Sequence, residues 1–96
     1  MKRIKRTIIN KIKNSQFVIT VHARKRMSER FVSEVDIIEV ANTLESIVYQ
    51  EKRDTFLLTG FNTWEQQLKI SAAIRSEVII VTVFFEEDEN ENNNYE

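Results

Sequence analysis

The sequence predicts an α+β fold in which N-terminal helices pack on one face of a four- to five-stranded antiparallel sheet. Three observations lead to this prediction. Apolar residues recur at helical spacing before residue 45, patterns typical of β-strands dominate residues 46–86, and only short polar turns separate those strands. Because the chain has 96 residues, one small domain is expected.

The first predicted element is a short basic helix over residues 1–14. Ile4, Ile8 and Ile12 are four residues apart with lysines and arginines between them, so this helix has a narrow apolar stripe. Three turns are marginal for an isolated helix, and we expect it either to dock on the body or to fray. The expected divisions of the chain are this N-terminal helix (1–15), the main α+β domain (16–86) and a disordered acidic tail (87–96).

A short strand and a second helix are predicted next. Residues 16–21 alternate enough to form the strand, and Thr20 can cap a helix that begins at Val21 or His22. The helical pattern continues as far as Phe31.

A third helix is predicted from Glu34. Ser33 and Asp36 are spaced as in a capping box, with Asp in the place of the usual Glu. The apolar residues of this helix recur at i, i+3, i+4 and i+7, which predicts that it supports the core. They are Ile37, Val40, Ala41 and Leu44.

Four strands joined by short turns follow, and this arrangement predicts an antiparallel meander over residues 47–85. In the stretch 67–74, apolar residues share one face while Gln67, Lys69 and Ser71 share the other. The sheet is therefore expected to cover a core on one side and to meet water or a ligand on the other. The last strand is apolar on both faces and should be central, and Gly60 is expected to mark a bulge or bend.

Charge is divided unevenly along the chain. The net charge of -1 combines +9 for residues 1–30 with -10 for residues 31–96. Such a basic segment is typical of a face that binds nucleic acid or an anionic membrane surface. The sequence contains no cysteine, no apolar run long enough to span a membrane and no secretory signal pattern, so a cytoplasmic location is expected.

One cluster of residues suggests chemistry. His22, Arg26 and Arg30 are spaced i, i+4 and i+8 in the second helix, within about 80° of one face and along about 12 Å of its axis. In the first turn His22 would combine a proton-transfer group with backbone amides that attract a phosphate, and the arginines would hold that phosphate. A histidine followed by arginines is also common on solvated helices, and this alternative stays open.

The remaining candidate residues are basic. With one histidine and no cysteine, the sequence predicts no metal site, and no motif predicts a cofactor. The residues expected to contact RNA in addition to the cluster are Arg24, Lys25, Lys69 and Arg75.

The second predicted helix contains the motif His22-Ala23, Arg26-Met27 and Arg30, and the acidic helix and the meander follow it. This arrangement resembles an uncharacterised small-domain family marked by H-A-x-x-R-M-x-x-R. That family is usually grouped with RelE/ParE-like and BrnT-like toxins, and the resemblance covers about residues 16–86. It implies a RelE-like fold, cleavage of RNA without a metal and neutralisation by a cognate antitoxin. It also implies that His22 acts as acid or base while Arg26 and Arg30 hold phosphate.

Two classes of function are therefore expected. The first is a toxin-like, metal-independent endoribonuclease of a toxin–antitoxin system, which cleaves free or ribosome-bound RNA by attack of the 2′-hydroxyl. The alternative is a non-catalytic module on the same scaffold that binds RNA or a protein partner. A third hypothesis places the basic N-terminal helix on an anionic membrane.

Overall fold

The computed structural model describes residues 2–87, which contain helices on a single sheet with strand order β1-β5-β4-β3-β2. An α+β fold is confirmed. Of the predicted acidic tail, residues 88–96 lie outside the described residues. The elements are α1 Lys2–Lys13, β1 Phe17–Ile19, α2 Val21–Arg30, α3 Glu34–Asn42, β2 Ser46–Gln50, β3 Thr55–Phe61, β4 Gln67–Ile74 and β5 Val78–Phe84.

The sheet is mixed rather than wholly antiparallel. Strands β2 to β5 form the predicted antiparallel meander, and β5 is an internal strand. The first strand pairs parallel to β5, with Phe17 opposite Val78 and Ile19 opposite Ile80, so the prediction of a purely antiparallel sheet is wrong. The alternation of residues along a strand indicates which side chains are buried, but it does not indicate whether the strand pairs parallel or antiparallel. In addition, the partner of β1 lies about sixty residues further along the chain.

Helix α1 docks on the body. Ile8 and Ile12 are fully buried, whereas Ile4 near the start of the helix is 40% exposed. The helix packs against α3 and β5, and its two buried isoleucines belong to the same hydrophobic cluster as α2, α3 and one sheet face. Of the two outcomes expected for this helix, docking is the one observed.

Helix α3 lies unusually close to the sheet at Gly60. Gly60 is opposite Leu68 in a regular stretch of the register, so there is no bulge at this residue. The register shift falls instead between Ser71 and Ala72, opposite β5. A Cβ atom at Gly60 would collide with the backbone carbonyl oxygen of Val40, and glycine is required for this close approach.

No helix within residues 2–87 is long and apolar enough to cross a membrane.

Candidate nucleic-acid interface

Helix α2 is held at its start by Thr20. The backbone N–H of Ala23 donates to Thr20 Oγ1 at 3.0 Å, which confirms the predicted cap. The Thr20 hydroxyl donates in turn to the carbonyl oxygen of Val81 at 3.2 Å, and the helix packs along β5. Ala23 and Met27 are buried against the sheet. His22, Arg24 and Lys25 are exposed, whereas the Arg30 side chain is 14% exposed.

The three clustered residues follow one another along α2. His22 is the second residue of the helix and is exposed, and its side chain makes no hydrogen bond or ion pair with other described residues. Arg26 and Arg30 both approach Glu29, with N–O distances of 3.1 and 3.3 Å. A single carboxylate therefore lies between the two guanidinium groups that were predicted to hold a phosphate.

Two more of the predicted RNA contacts are on the same helix. Arg24 and Lys25 are exposed, and Arg24 lies 3.5 Å from the carboxylate of Glu34. An exposed ion pair of this length contributes little to stability. A phosphate could therefore replace the Glu34 carboxylate beside Arg24 with little loss of folding stability.

The two predicted contacts on the sheet lie elsewhere. Lys69 is on the face that points away from the helices, opposite Phe84 in the register. Arg75 is in the turn before β5 and pairs with Asp54 at 3.5 Å. Since β5 is seven residues long, about 23 Å of strand separates this turn from the end of α2. The structure does not bring Arg75 together with Arg30.

Helix α1 supplies a second basic surface. Its two buried isoleucines face the core, and its cations point away from it. None of these cations is buried, and none makes an ion pair with another residue of the described range. They are Lys2, Arg3, Lys5, Arg6, Lys11 and Lys13.

An open groove of about 760 Å³ lies at the C-terminal end of α2. Two aromatic side chains line it, Phe31 with 90% of its surface exposed and Trp64 with 77%. Arg30, Glu86 and Glu87 line the same groove. The RNA contacts predicted from the sequence are His22 and basic residues, and this aromatic pair was not among them.

Phe31 occupies a position where helices usually place glycine or asparagine. It ends α2 in the left-handed conformation, with φ at 55°. That conformation is unfavourable for a residue with a bulky side chain, and full exposure of an aromatic ring adds no burial energy in return. A phenylalanine at the end of the helical pattern, where glycine or asparagine is usual, is a signal that the sequence offered. Residues that are unfavourable for the local structure concentrate at functional positions.

Trp64 projects from a rigid turn between β3 and β4. The buried Asn62 accepts hydrogen bonds from the backbone N–H groups of Trp64 at 3.0 Å and Gln66 at 2.8 Å. Asp36 accepts from both the backbone N–H and the hydroxyl of Thr63, at 2.8 and 2.7 Å. The turn is thereby tied to the start of α3, and the backbone that carries the exposed indole ring is held in place.

Asp36 is ionised more readily in this setting than a free aspartate. Burial by itself raises its pKa, but the hydrogen bonds donated by Ser33 and Thr63 outweigh burial and hold the pKa below the ordinary value of 3.8. The same carboxylate completes the predicted capping box of α3 with Ser33. Because the pKa is lowered by folding, ionised Asp36 stabilises the fold at neutral pH, and this contribution is lost as the pH falls through the folded-state pKa.

Asp36→Asn is expected to lower the free energy of unfolding at pH 7 by about 1–2 kcal/mol, because the charged acceptor of these hydrogen bonds is removed. The difference from the unaltered protein should shrink as the pH falls below the ordinary value of 3.8 and through the lower folded-state pKa, where Asp36 itself becomes protonated. Urea unfolding followed by circular dichroism at several pH values measures both effects. The exposed Glu51→Gln serves as a control, and a gap that widens in acid would refute the assignment.

Residues 19–85 match a protein family described as a domain of unknown function, DUF4258. The match includes α2, α3 and the meander, and it leaves out α1. No curated protein and no solved structure matches the chain. The predicted relation to an uncharacterised small-domain family is confirmed, and the likeness to RelE-like and BrnT-like toxins stays a prediction.

Proposed function

We propose that this protein, which belongs to the DUF4258 family, binds RNA through the cations of α1 and α2. The proposal rests on the number of these cations and on their accessibility at the protein surface. Residues 2–30 contain ten basic side chains and one acidic one, none of the ten is buried, and the six on α1 have no ion-pair partner within residues 2–87. Dense positive charge attracts the phosphate backbone and releases its counterions.

RNA fits this surface better than a membrane does. An amphipathic helix that lies on a membrane inserts its apolar face among the lipids. In α1 the apolar face packs against the protein core, because Ile8 and Ile12 are fully buried. The outward surface of α1 is thus polar, which suits phosphate contacts along a nucleic acid.

Affinity for a short single-stranded RNA is expected to fall steeply with salt. Each phosphate contact on a single strand contributes a slope of about -0.7 on log–log axes, so about six contacts predict a loss of roughly 300-fold between 50 and 200 mM salt. Fluorescence anisotropy of a labelled oligonucleotide measures this dependence. Lys5→Gln combined with Arg6→Gln should make the slope shallower by about 1.4.

Two further variants test whether the cations of α2 take part in RNA binding and whether the effect of Lys5 and Arg6 is specific. Glu29→Gln should strengthen RNA binding, since Glu29 is the carboxylate that now pairs with Arg26 and Arg30. Lys52→Gln, an exposed cation in the turn before β3, is the matched control and should leave the slope unchanged. Absence of RNA binding at low salt, or an affinity that does not respond to salt, would refute the proposed function.

A second candidate function is cleavage of the bound RNA without a metal, as a toxin-like endoribonuclease held in check by a cognate antitoxin. The observation that favours it is the position of His22. This side chain is exposed in the first turn of α2, at the end of the row that contains Arg26 and Arg30. A proton-transfer group, free backbone N–H groups and fixed cations are thereby available along one strip of helix.

A further inference from the structure

We propose that the groove at the end of α2 binds one unpaired nucleobase, with guanine preferred over uracil. The inference rests on the proposed RNA binding and adds to it a class of substrate, single-stranded RNA with an accessible guanine. Its starting point is the pair of aromatic rings, Phe31 and Trp64, that two separate elements bring to one groove.

Exposed aromatic rings are suited to stacking on bases. Every nucleobase has a flat π-face, and stacking on an aromatic side chain contributes about 1–3 kcal/mol per base. Phe31 and Trp64 are 90% and 77% exposed, so their faces are not used in the core. The groove of about 760 Å³ is within the size range of small-ligand sites, which leaves room for a base.

The backbone that carries each ring is ordered before a ligand arrives. Trp64 follows Thr63, which Asp36 fixes with two hydrogen bonds, and Asn62 fixes the backbone of Trp64 itself. Phe31 stands at a helix end whose backbone conformation is set by the bond from its N–H to the carbonyl oxygen of Met27. Such prior ordering reduces the entropy that binding would otherwise lose.

The charges of the groove favour a base over a phosphate. Glu86 and Glu87 are exposed and line the groove, and an ionised carboxylate only accepts hydrogen bonds. The two carboxylates outnumber Arg30, the one cation among the lining residues, and their negative charge disfavours a phosphate inside the groove. The phosphate backbone then lies outside the groove, near Arg26, which precedes Arg30 by one turn of α2. A neutral base carries no such penalty.

The same carboxylates distinguish between bases. Guanine offers two neighbouring donors, N1–H and the N2 amino group, on its Watson–Crick edge, and a carboxylate can accept from both. Uracil offers one N–H between two carbonyl oxygens, and those oxygens repel a carboxylate. In a duplex this edge is already paired and the base is stacked, so double-stranded RNA cannot place it in the groove.

The test uses the chain's single tryptophan as its reporter, because Trp64 is itself in the groove. Two nine-nucleotide RNAs are titrated at low salt, one all uridine and one with a central guanosine. The guanosine oligonucleotide should quench Trp64 fluorescence saturably and bind about tenfold more tightly. Glu86→Gln with Glu87→Gln should remove most of this preference without weakening binding of the all-uridine RNA.

Phe31→Asn is the variant for the stacking contact, since asparagine tolerates the left-handed backbone and should leave the fold intact. It should weaken binding of the guanosine oligonucleotide about tenfold. Val35→Ala, which shortens another exposed apolar side chain outside the groove, should have no effect. Equal affinity for the two RNAs, or an unchanged affinity in Phe31→Asn, would overturn the inference while RNA binding itself stood. If neither RNA binds at low salt, the proposed function fails as well.

Discussion

Replacing His22 with alanine is expected to slow RNA cleavage by about 10²–10⁴-fold, the usual loss when a general acid or base is removed, while RNA affinity stays nearly the same. Internal attack needs a proton taken from the 2′-hydroxyl and a proton given to the leaving oxygen. Histidine can make one of these transfers at neutral pH, whereas arginine stays charged and can only stabilise the negative phosphate. Single-turnover cleavage of labelled RNA, with and without ribosomes, measures the rate.

Companion variants separate catalysis from binding. Arg26→Ala and Arg30→Ala should weaken both cleavage and affinity, whereas Ser28→Ala, an exposed position on the same helix, should change neither. The reaction should proceed in EDTA and leave 2′,3′-cyclic phosphate ends. If the unaltered protein cleaves no RNA under either condition but still binds RNA, the enzyme hypothesis is wrong and a non-catalytic RNA-binding module remains.

Local patterns in the sequence predicted the helices well. Thr20 caps α2, and Ser33 with Asp36 forms the capping box of α3, because a cap depends on residues only a few positions apart. The spacing of His22, Arg26 and Arg30 likewise needed only the helical repeat to place them along one face.

Contacts between distant parts of the chain escaped prediction. The parallel pairing of Phe17 with Val78 depends on how the whole chain returns to one sheet edge. The exposure of Trp64 depends on the bond from Thr63 to Asp36, which joins residues 27 positions apart. Arg75 was grouped with the helix cations by residue type, and only the strand directions reveal that it lies at the other end of β5.

Gly60 shows how one such contact supports the rest of the site. It is the chain's single glycine, and α3 crosses β3 at this point. Thr43, the C-cap of α3, accepts a hydrogen bond from the backbone N–H of Phe61 at 2.8 Å and donates to the carbonyl oxygen of Glu39 at 2.7 Å. The end of α3 is therefore tied to β3 beside Gly60, and the start of the same helix carries the Asp36 that fixes the Trp64 turn.

Gly60→Ala is accordingly expected to destabilise the protein by about 3 kcal/mol, or roughly 12–24 °C in Tm for a domain of this size. Loss of glycine flexibility in the unfolded chain would by itself stabilise the protein by about 0.4–1 kcal/mol. The collision of the new methyl group with the Val40 carbonyl outweighs that gain, because the neighbour is backbone and Thr43 keeps the helix from moving away. Thermal unfolding followed by circular dichroism gives the change in Tm.

The double variant Gly60→Ala, Thr43→Ala tests the reason for this loss. Once the tie between Thr43 and Phe61 is removed, the end of α3 can move away from the new methyl group, so the two substitutions together should cost less than the sum of their separate effects. Ser46→Ala, an exposed position on the neighbouring strand β2, should stay within about 0.5 kcal/mol of the unaltered protein. A Gly60→Ala protein that melts at the same temperature or higher would show that α3 does not rest against β3 at this glycine.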